Sequence, residues 1–149
     1  MKANLLKNKV NTKTLNFVLL SIVTLGIFNI MWLFKNNSVI EDTLEQKILD
    51  HRIIIVLAAL IGWSSVFSST PDLEVLGGLL SIISSIFYIV WAFKAKKALQ
   101  KMMLNDHKID YSMNSFYTFF FNIYYINFCI NELAEEVEKS NLLSERITA

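Results

Sequence analysis

Between residues 53 and 93 the only charged side chains are Asp72 and Glu74, and both sit at a turn that holds the chain's single proline, Pro71. A long uncharged stretch divided at its middle predicts two helices joined by a tight reversal. At 1.5 Å per residue, 53–69 reaches about 26 Å and 73–93 about 31 Å, each enough to cross a bilayer core of ~30 Å or slightly less. Composition agrees, because 54% hydrophobic residues and a mean hydropathy of +0.43 are too apolar for a soluble domain of 149 residues. The expectation is one all-α integral membrane domain over 1–149, built on a central two-helix transmembrane hairpin.

The reversal has a local logic. Thr70 can cap a following helix, Pro71 suits its first position, and Asp72 and Glu74 favour the positive end of the helix dipole. Small residues recur four apart on both arms, Ala58 and Gly62 on one and Gly77, Ser81 and Ser85 on the other, which lets two backbones approach closely.

Two further apolar segments, 15–34 and 116–130, differ in kind. The first carries Asn16, Ser21, Thr24, Gly26 and Asn29; the second carries Tyr117, Thr118, Asn122, Tyr124, Tyr125 and Asn127. Amides in hydrocarbon cost a few kcal/mol each, on the order of 2–7, unless they pair or reach water. The stretches Phe28-Asn29-Ile30-Met31-Trp32 and Phe121-Asn122-Ile123-Tyr124-Tyr125 also echo each other, a weak pseudo-repeat flanking the central hairpin.

Charge chooses between two topologies. If 15–34 spans, the basic run Lys94-Ala95-Lys96-Lys97 faces outward, against the bias of Lys and Arg toward the cytoplasm. If 15–34 and 116–130 instead each enter and leave by one face, as re-entrant or interfacial helical hairpins, every basic cluster and both termini are cytoplasmic. Only the lysine-free turn at Pro71 is then outside. Gly26 would make the first turn, with Thr24 and Asn29 satisfying freed backbone groups. This arrangement is favoured over an ordinary four-span bundle. The apolar run after Lys2, Lys7, Lys9 and Lys13 lacks a small-residue cleavage site and is expected to be retained.

Outside the membrane, Ser38-Val39-Ile40-Glu41 reads as a capping box, predicting a helix over about 39–52 that runs into the span at 53. A second extension is expected over about 94–104. Glu41, Asp42, Glu45 and Asp50 on the first would face Lys94, Lys96, Lys97 and Lys101 on the second; the same four lysines are also candidate contacts for anionic lipid headgroups. Residues 131–147 read as an acidic amphipathic tail. Trp32, Trp63, Trp91, Tyr88, Tyr124 and Tyr125 read mostly as interface anchors.

The run Leu19 to Phe28 followed by Trp32-Leu33-Phe34-Lys35 resembles the signature of small bacterial membrane proteins grouped as domain of unknown function 4234, in which a Thr-Leu-Gly-Ile-aromatic stretch shortly precedes a Trp. The match is centred on 19–35, with Phe28-Asn29 where Tyr-Gly is common. The resemblance implies an integral membrane protein of bacterial type and brings no activity, cofactor or catalytic residue with it.

Chemistry is hard to find. No phosphate-binding glycine loop, HExxH or Cys/His cluster is present, and nothing in the charge pattern points to nucleic acid. His51 and His107 read as surface residues, Cys129 as an apolar packer, and Ser64, Ser65, Ser68 and Ser69 have no base nearby in sequence. The candidate functional set is polar and intramembrane: Asn29, Asn122, Thr24 and Asn127, with Asn29 and Asn122 expected to hydrogen-bond each other or nearby backbone. The reading is a non-enzymatic component of a bacterial cell membrane that packs against lipid, against a partner membrane protein or against copies of itself, with no cofactor and no metal. The alternatives are a small oligomeric channel lined by Asn29 and Asn122, and an envelope immunity or defence protein.

Overall fold

The computed structural model describes residues 2–148, so Met1 and Ala149, the ends of the expected single domain, lie outside the described residues. Those residues are all-helical, with no strand: α1 Lys2–Val10, α2 Thr14–Val23, α3 Ile27–Leu44, α4 His51–Ser68, α5 Glu74–His107 and α6 Ser115–Thr148. Two of them, α4 and α5, are long and apolar enough to cross a membrane.

Helices α2 to α6 pack in a closed order: α2 on α3, α3 on α4, α4 on α5, α5 on α6 and α6 back on α2. Aromatic rings fill the centre. Phe17 stacks on Trp32 at 4.8 Å and meets Tyr124 at 4.9 Å, while Trp32 meets Trp91 edge-on at 6.1 Å. Trp32 and Trp91 are therefore core residues rather than the interface anchors expected from sequence, and of the three tryptophans only Trp63 is exposed. The expectation failed because a tryptophan near the end of an apolar run has the same sequence context whether its ring turns inward or outward.

The helix expected over 39–52 is not formed. α3 passes through Ser38 without a break and ends at Leu44, where Glu45 takes a left-handed φ of 53°. Residues 45–50 then reverse the chain before Asp50 caps α4 by accepting the Arg52 N–H. The capping-box side chains have other uses. Glu41 Oε1 accepts from the N–H groups of Ile48 and Leu49 at 2.6 and 2.8 Å, and Ser38 Oγ meets His51 Nε2 at 2.9 Å. Glu41 thus satisfies two donors of the connecting loop, which a continuous helix would not have needed.

The α4–α5 turn also departs from expectation in detail. Pro71 lies in the turn, Asp72 takes a φ of 67°, and α5 starts only at Glu74. The Thr70 hydroxyl donates back to Val66 O at 2.9 Å, finishing α4 instead of capping α5. Close approach of the two arms is made at Gly77, whose carbonyl accepts from Ser64 Oγ at 2.9 Å and whose Cα leaves no room for a Cβ against the Ser68 backbone. Nothing lies within contact of a Cβ built on Gly62.

The lysine-bearing N-terminus forms α1, a helix the charge pattern conceals: Ala3, Leu6 and Val10 make a buried stripe at i, i+3 and i+7 that packs on α6 and α3. The acidic tail is the far part of α6, with Leu133 fully buried and Glu135 and Glu138 exposed. Of the expected facing of the 39–52 acids and the 94–104 lysines, only Glu45 and Lys101 come to share a depression, and no ion pair forms between the two sets among the described residues. Among the described residues Lys94, Lys96, Lys97 and Lys101 make no ion pair, and Glu45 and Asp106 are bridged instead by Lys2 at 3.0 and 3.5 Å.

Candidate functional site

The α2–α3 reversal is built from its backbone. Leu25 and Gly26 take φ of 51° and 88°. Gly26 N–H donates to Ser21 O at 2.8 Å and Leu25 N–H to Ile22 O at 3.1 Å, the paired bonds that close a helix C-terminus, and Ile27 N–H then returns to Thr24 O at 3.1 Å. Thr24 serves both helices: its hydroxyl donates to Leu20 O at 2.7 Å and accepts from Phe28 N–H at 3.0 Å. Placing Leu25 in the left-handed region costs about 1 kcal/mol, which Gly26 at the next position avoids.

Asn29 lies one turn into α3. Its Oδ1 accepts from Ser21 Oγ of α2 and from Tyr124 OH of α6, the latter at 3.0 Å, so it ties three helices together. A groove of about 490 Å3 beside it is lined by Ser21, Leu25, Phe121 and Tyr124, and a second of about 380 Å3 separates the turn from Ala58, Ile61 and Tyr88.

The second polar segment reverses at Asn122, whose φ of 28° and ψ of −106° break α6 into two arms. Its Oδ1 accepts from Ile123 N–H at 2.6 Å. The short arm starts at Asn114, whose side chain accepts from Phe116 N–H at 2.8 Å, and the fold-back brings Asn114 N–H within 3.0 Å of Tyr125 OH.

Asn29 and Asn122 therefore do not bond each other, and the pentapeptide echo is not a structural repeat. In the first hairpin Gly26 supplies the positive φ and leaves its Asn helical. No glycine follows Gly78, so in the second hairpin Asn122, of a residue type that tolerates positive φ, makes the break itself.

Asn127 holds a different junction. With Asn131 it donates to Thr12 O, at 3.0 and 2.9 Å, and so clamps α6 to the α1–α2 connection. Of the candidate lipid contacts, Lys94, Lys97 and Lys101 are exposed, whereas Lys96 is buried, donates to Ser115 Oγ at 2.7 Å and lies over the Phe93 ring. Among the described residues no group of three His, Cys, Asp or Glu side chains could hold a metal ion. Burial raises the Tyr111 phenol well above its ordinary range and lowers the His107 imidazole.

Sequence reasoning missed Ser21 and Tyr124 as the partners of Asn29. It also missed Asn37, which accepts from Trp91 Nε1 at 2.8 Å and donates to Leu49 O at 2.9 Å. An Asn-Asn pair directly after an apolar run reads as loop, and only the depth of Asn37 in the fold reveals its use.

Residues 12–101, from within the α1–α2 connection through most of α5, match the family described as a domain of unknown function (DUF4234). The chain belongs to that family. The matched segment holds the Gly26 reversal, Asn29, Asn37 and Trp91, while α1 and α6, and with them Tyr124 and Asn127, lie outside it. No curated protein and no solved structure matches the chain.

Proposed function

We propose that this family member is a non-enzymatic integral component of a bacterial cell membrane that inserts from one face. In this reading α4 and α5 cross the bilayer, the α2–α3 turn and the short arm of α6 dip into it and return, and both termini are cytoplasmic. It acts by packing in the membrane, as a scaffold or subunit against lipid, a partner membrane protein or its own copies.

One observation carries the reading: the backbone at Leu25 and Gly26 is closed by its own hydrogen bonds while the surrounding side chains are bare. Leu25 is 93% exposed and Val23 79%, an arrangement costly in water and suited to lipid. Length supports it as well. α2 has 10 residues, about 15 Å, and the arm from Ser115 to Asn122 is shorter still, so neither crosses ~30 Å of hydrocarbon. The apolar windows of α4 and α5 are only 17% and 22% buried, where the core helix of a soluble protein would be mostly buried.

A second reading, a small oligomeric channel, draws on the grooves beside Asn29. Against it, Asn29 Oδ1 is already used by Ser21 and Tyr124. Reconstitution separates the two. A packing component stays in vesicles through an alkaline wash and gives ion flux equal to protein-free vesicles, whereas flux abolished by Asn29→Leu favours the channel. Loss of the protein in the wash overturns both.

A further inference from the structure

The charges that end the uncharged segments are not random. Residues 14–34 are bounded by Lys13 and Lys35, and the segment 53–93, whose only charges are at the Asp72–Glu74 turn, is bounded by Arg52 and Lys94. Contacts tie these four boundaries together. Phe34 meets His51 at 5.2 Å, and Lys35 and Arg52 are the next residues of the two helices. Asn37 bonds Trp91, one turn from Lys94. Phe17, whose N–H donates to Lys13 O, stacks on Trp32. Each cation thus closes its uncharged segment within about one helical turn of a residue that contacts a neighbouring helix.

They also make no direct ion pair, although Arg52 lies close enough to Asp50 to help hold its carboxyl below the usual range. Each is exposed, and among the described residues none has an ion pair or a side-chain hydrogen bond. Asp50, two residues before Arg52, pairs directly with Lys47 at 3.1 Å. Lys2 pairs with Glu45 and Asp106, and Lys101 shares a depression with the same two, whereas Lys9 and Lys97 are exposed and unpaired like the four but lie away from the ends of the uncharged segments. The α6 segment breaks the pattern, since 111–131 is bounded by Asp110 and Glu132. The cations therefore form an arc over the helices α2 to α5 and leave α6 out.

We propose that Lys13, Lys35, Arg52 and Lys94 bind the phosphates of anionic phospholipids in the leaflet from which the chain inserts, an assignment that rests on one-face insertion. The arc replaces the basic run as the lipid contact. Lys96 is buried against Ser115, and Lys97 and Lys101 lie one and two turns beyond the level at which the apolar surface ends. Each cation near the surface strengthens binding about fivefold.

The test uses the full chain in phosphatidylcholine vesicles containing spin-labelled phosphatidylglycerol or phosphatidylcholine, with the relative association of the two labels at the protein surface as readout. The wild type should prefer phosphatidylglycerol severalfold. Lys13→Gln, Lys35→Gln, Arg52→Gln and Lys94→Gln together should remove that preference, and Lys35→Gln or Lys94→Gln alone, each on an exposed side chain, should lower it. A variant with the same charge loss at Lys7, Lys9, Lys97 and Lys101 should keep it, as should the wild type in excess inorganic phosphate at matched ionic strength. The proposal is overturned by equal loss in the control variant, by competition from free phosphate, by no change on neutralising the arc, or by no preference in the wild type while it remains inserted. A wild type not retained by neutral vesicles would instead sink the insertion reading.

Discussion

The Trp91 indole N–H donates to Asn37 Oδ1 at 2.8 Å, and both side chains are completely buried, joining α5 to α3 across 54 residues of chain. Asn37 Nδ2 continues the link to Leu49 O, so one amide holds the 45–50 connection against the core. Asn37→Leu would strand a buried indole N–H and a loop carbonyl, at about 1–3 kcal/mol for each. Trp91→Phe would strand the amide oxygen. The double variant should cost less than the sum of the two, because it removes both partners of one bond. Thermal unfolding of the four proteins in detergent measures this coupling.

Gly77→Ala should destabilise the α4–α5 hairpin by about 1–3 kcal/mol, since the added methyl meets the Ser68 backbone, which cannot swing aside like a side-chain end. Gly62→Ala, with open space at the same atom, should be neutral or slightly stabilising through helix propensity. Equal effects at the two glycines would contradict the packing described.

Tyr124→Phe deletes one of the two donors to Asn29 Oδ1 and should cost about 1 kcal/mol. Asn29→Leu should cost more, because it leaves the Tyr124 hydroxyl to find a new partner and removes the α2–α3–α6 tie altogether, while the Ser21 hydroxyl keeps Phe17 O at 2.7 Å as its acceptor. Neither change should alter ion flux in vesicles; the same two variants assayed for stability and flux separate a structural tie from a pore lining.

Stability should fall as the pH drops below about 6.5, the ordinary histidine value. Burial lowers the His107 imidazole in the folded chain, and its Nε2 is buried without a hydrogen-bond partner. Between the lowered folded pKa and the unfolded one, the unfolded chain holds more protons, so acid favours unfolding. Asp106 opposes the shift without cancelling it. His107→Gln should flatten this part of the unfolding midpoint against pH, measured from pH 8 to 5.

How much of this was legible in the sequence depended on whether a residue's task was local. The α4–α5 hairpin follows from an uncharged stretch interrupted at Pro71, and the first reversal from Gly26, because span length and positive φ are properties of a few adjacent residues. Asn122 was noticed through an echo that misled: the same pentapeptide pattern is helical at Asn29 and broken at Asn122, since only the first has a glycine three residues before its Asn. Glu41 matched a capping box by spacing yet serves Ile48 and Leu49, donors created by a loop that its own helix did not predict. The Asn29–Tyr124 and Asn37–Trp91 bonds join residues 95 and 54 apart, and no local pattern specifies such partners.

Single cysteines placed at Asn8, Gln46, Asp72 and Asn105, after replacement of Cys129, and probed with a thiol reagent that cannot cross the membrane, test the proposed insertion most directly. One-face insertion predicts that 8, 46 and 105 label from the same compartment and 72 from the opposite one. Labelling of 8 and 46 from opposite sides would mean that α2 and α3 together cross the bilayer, and would contradict the account.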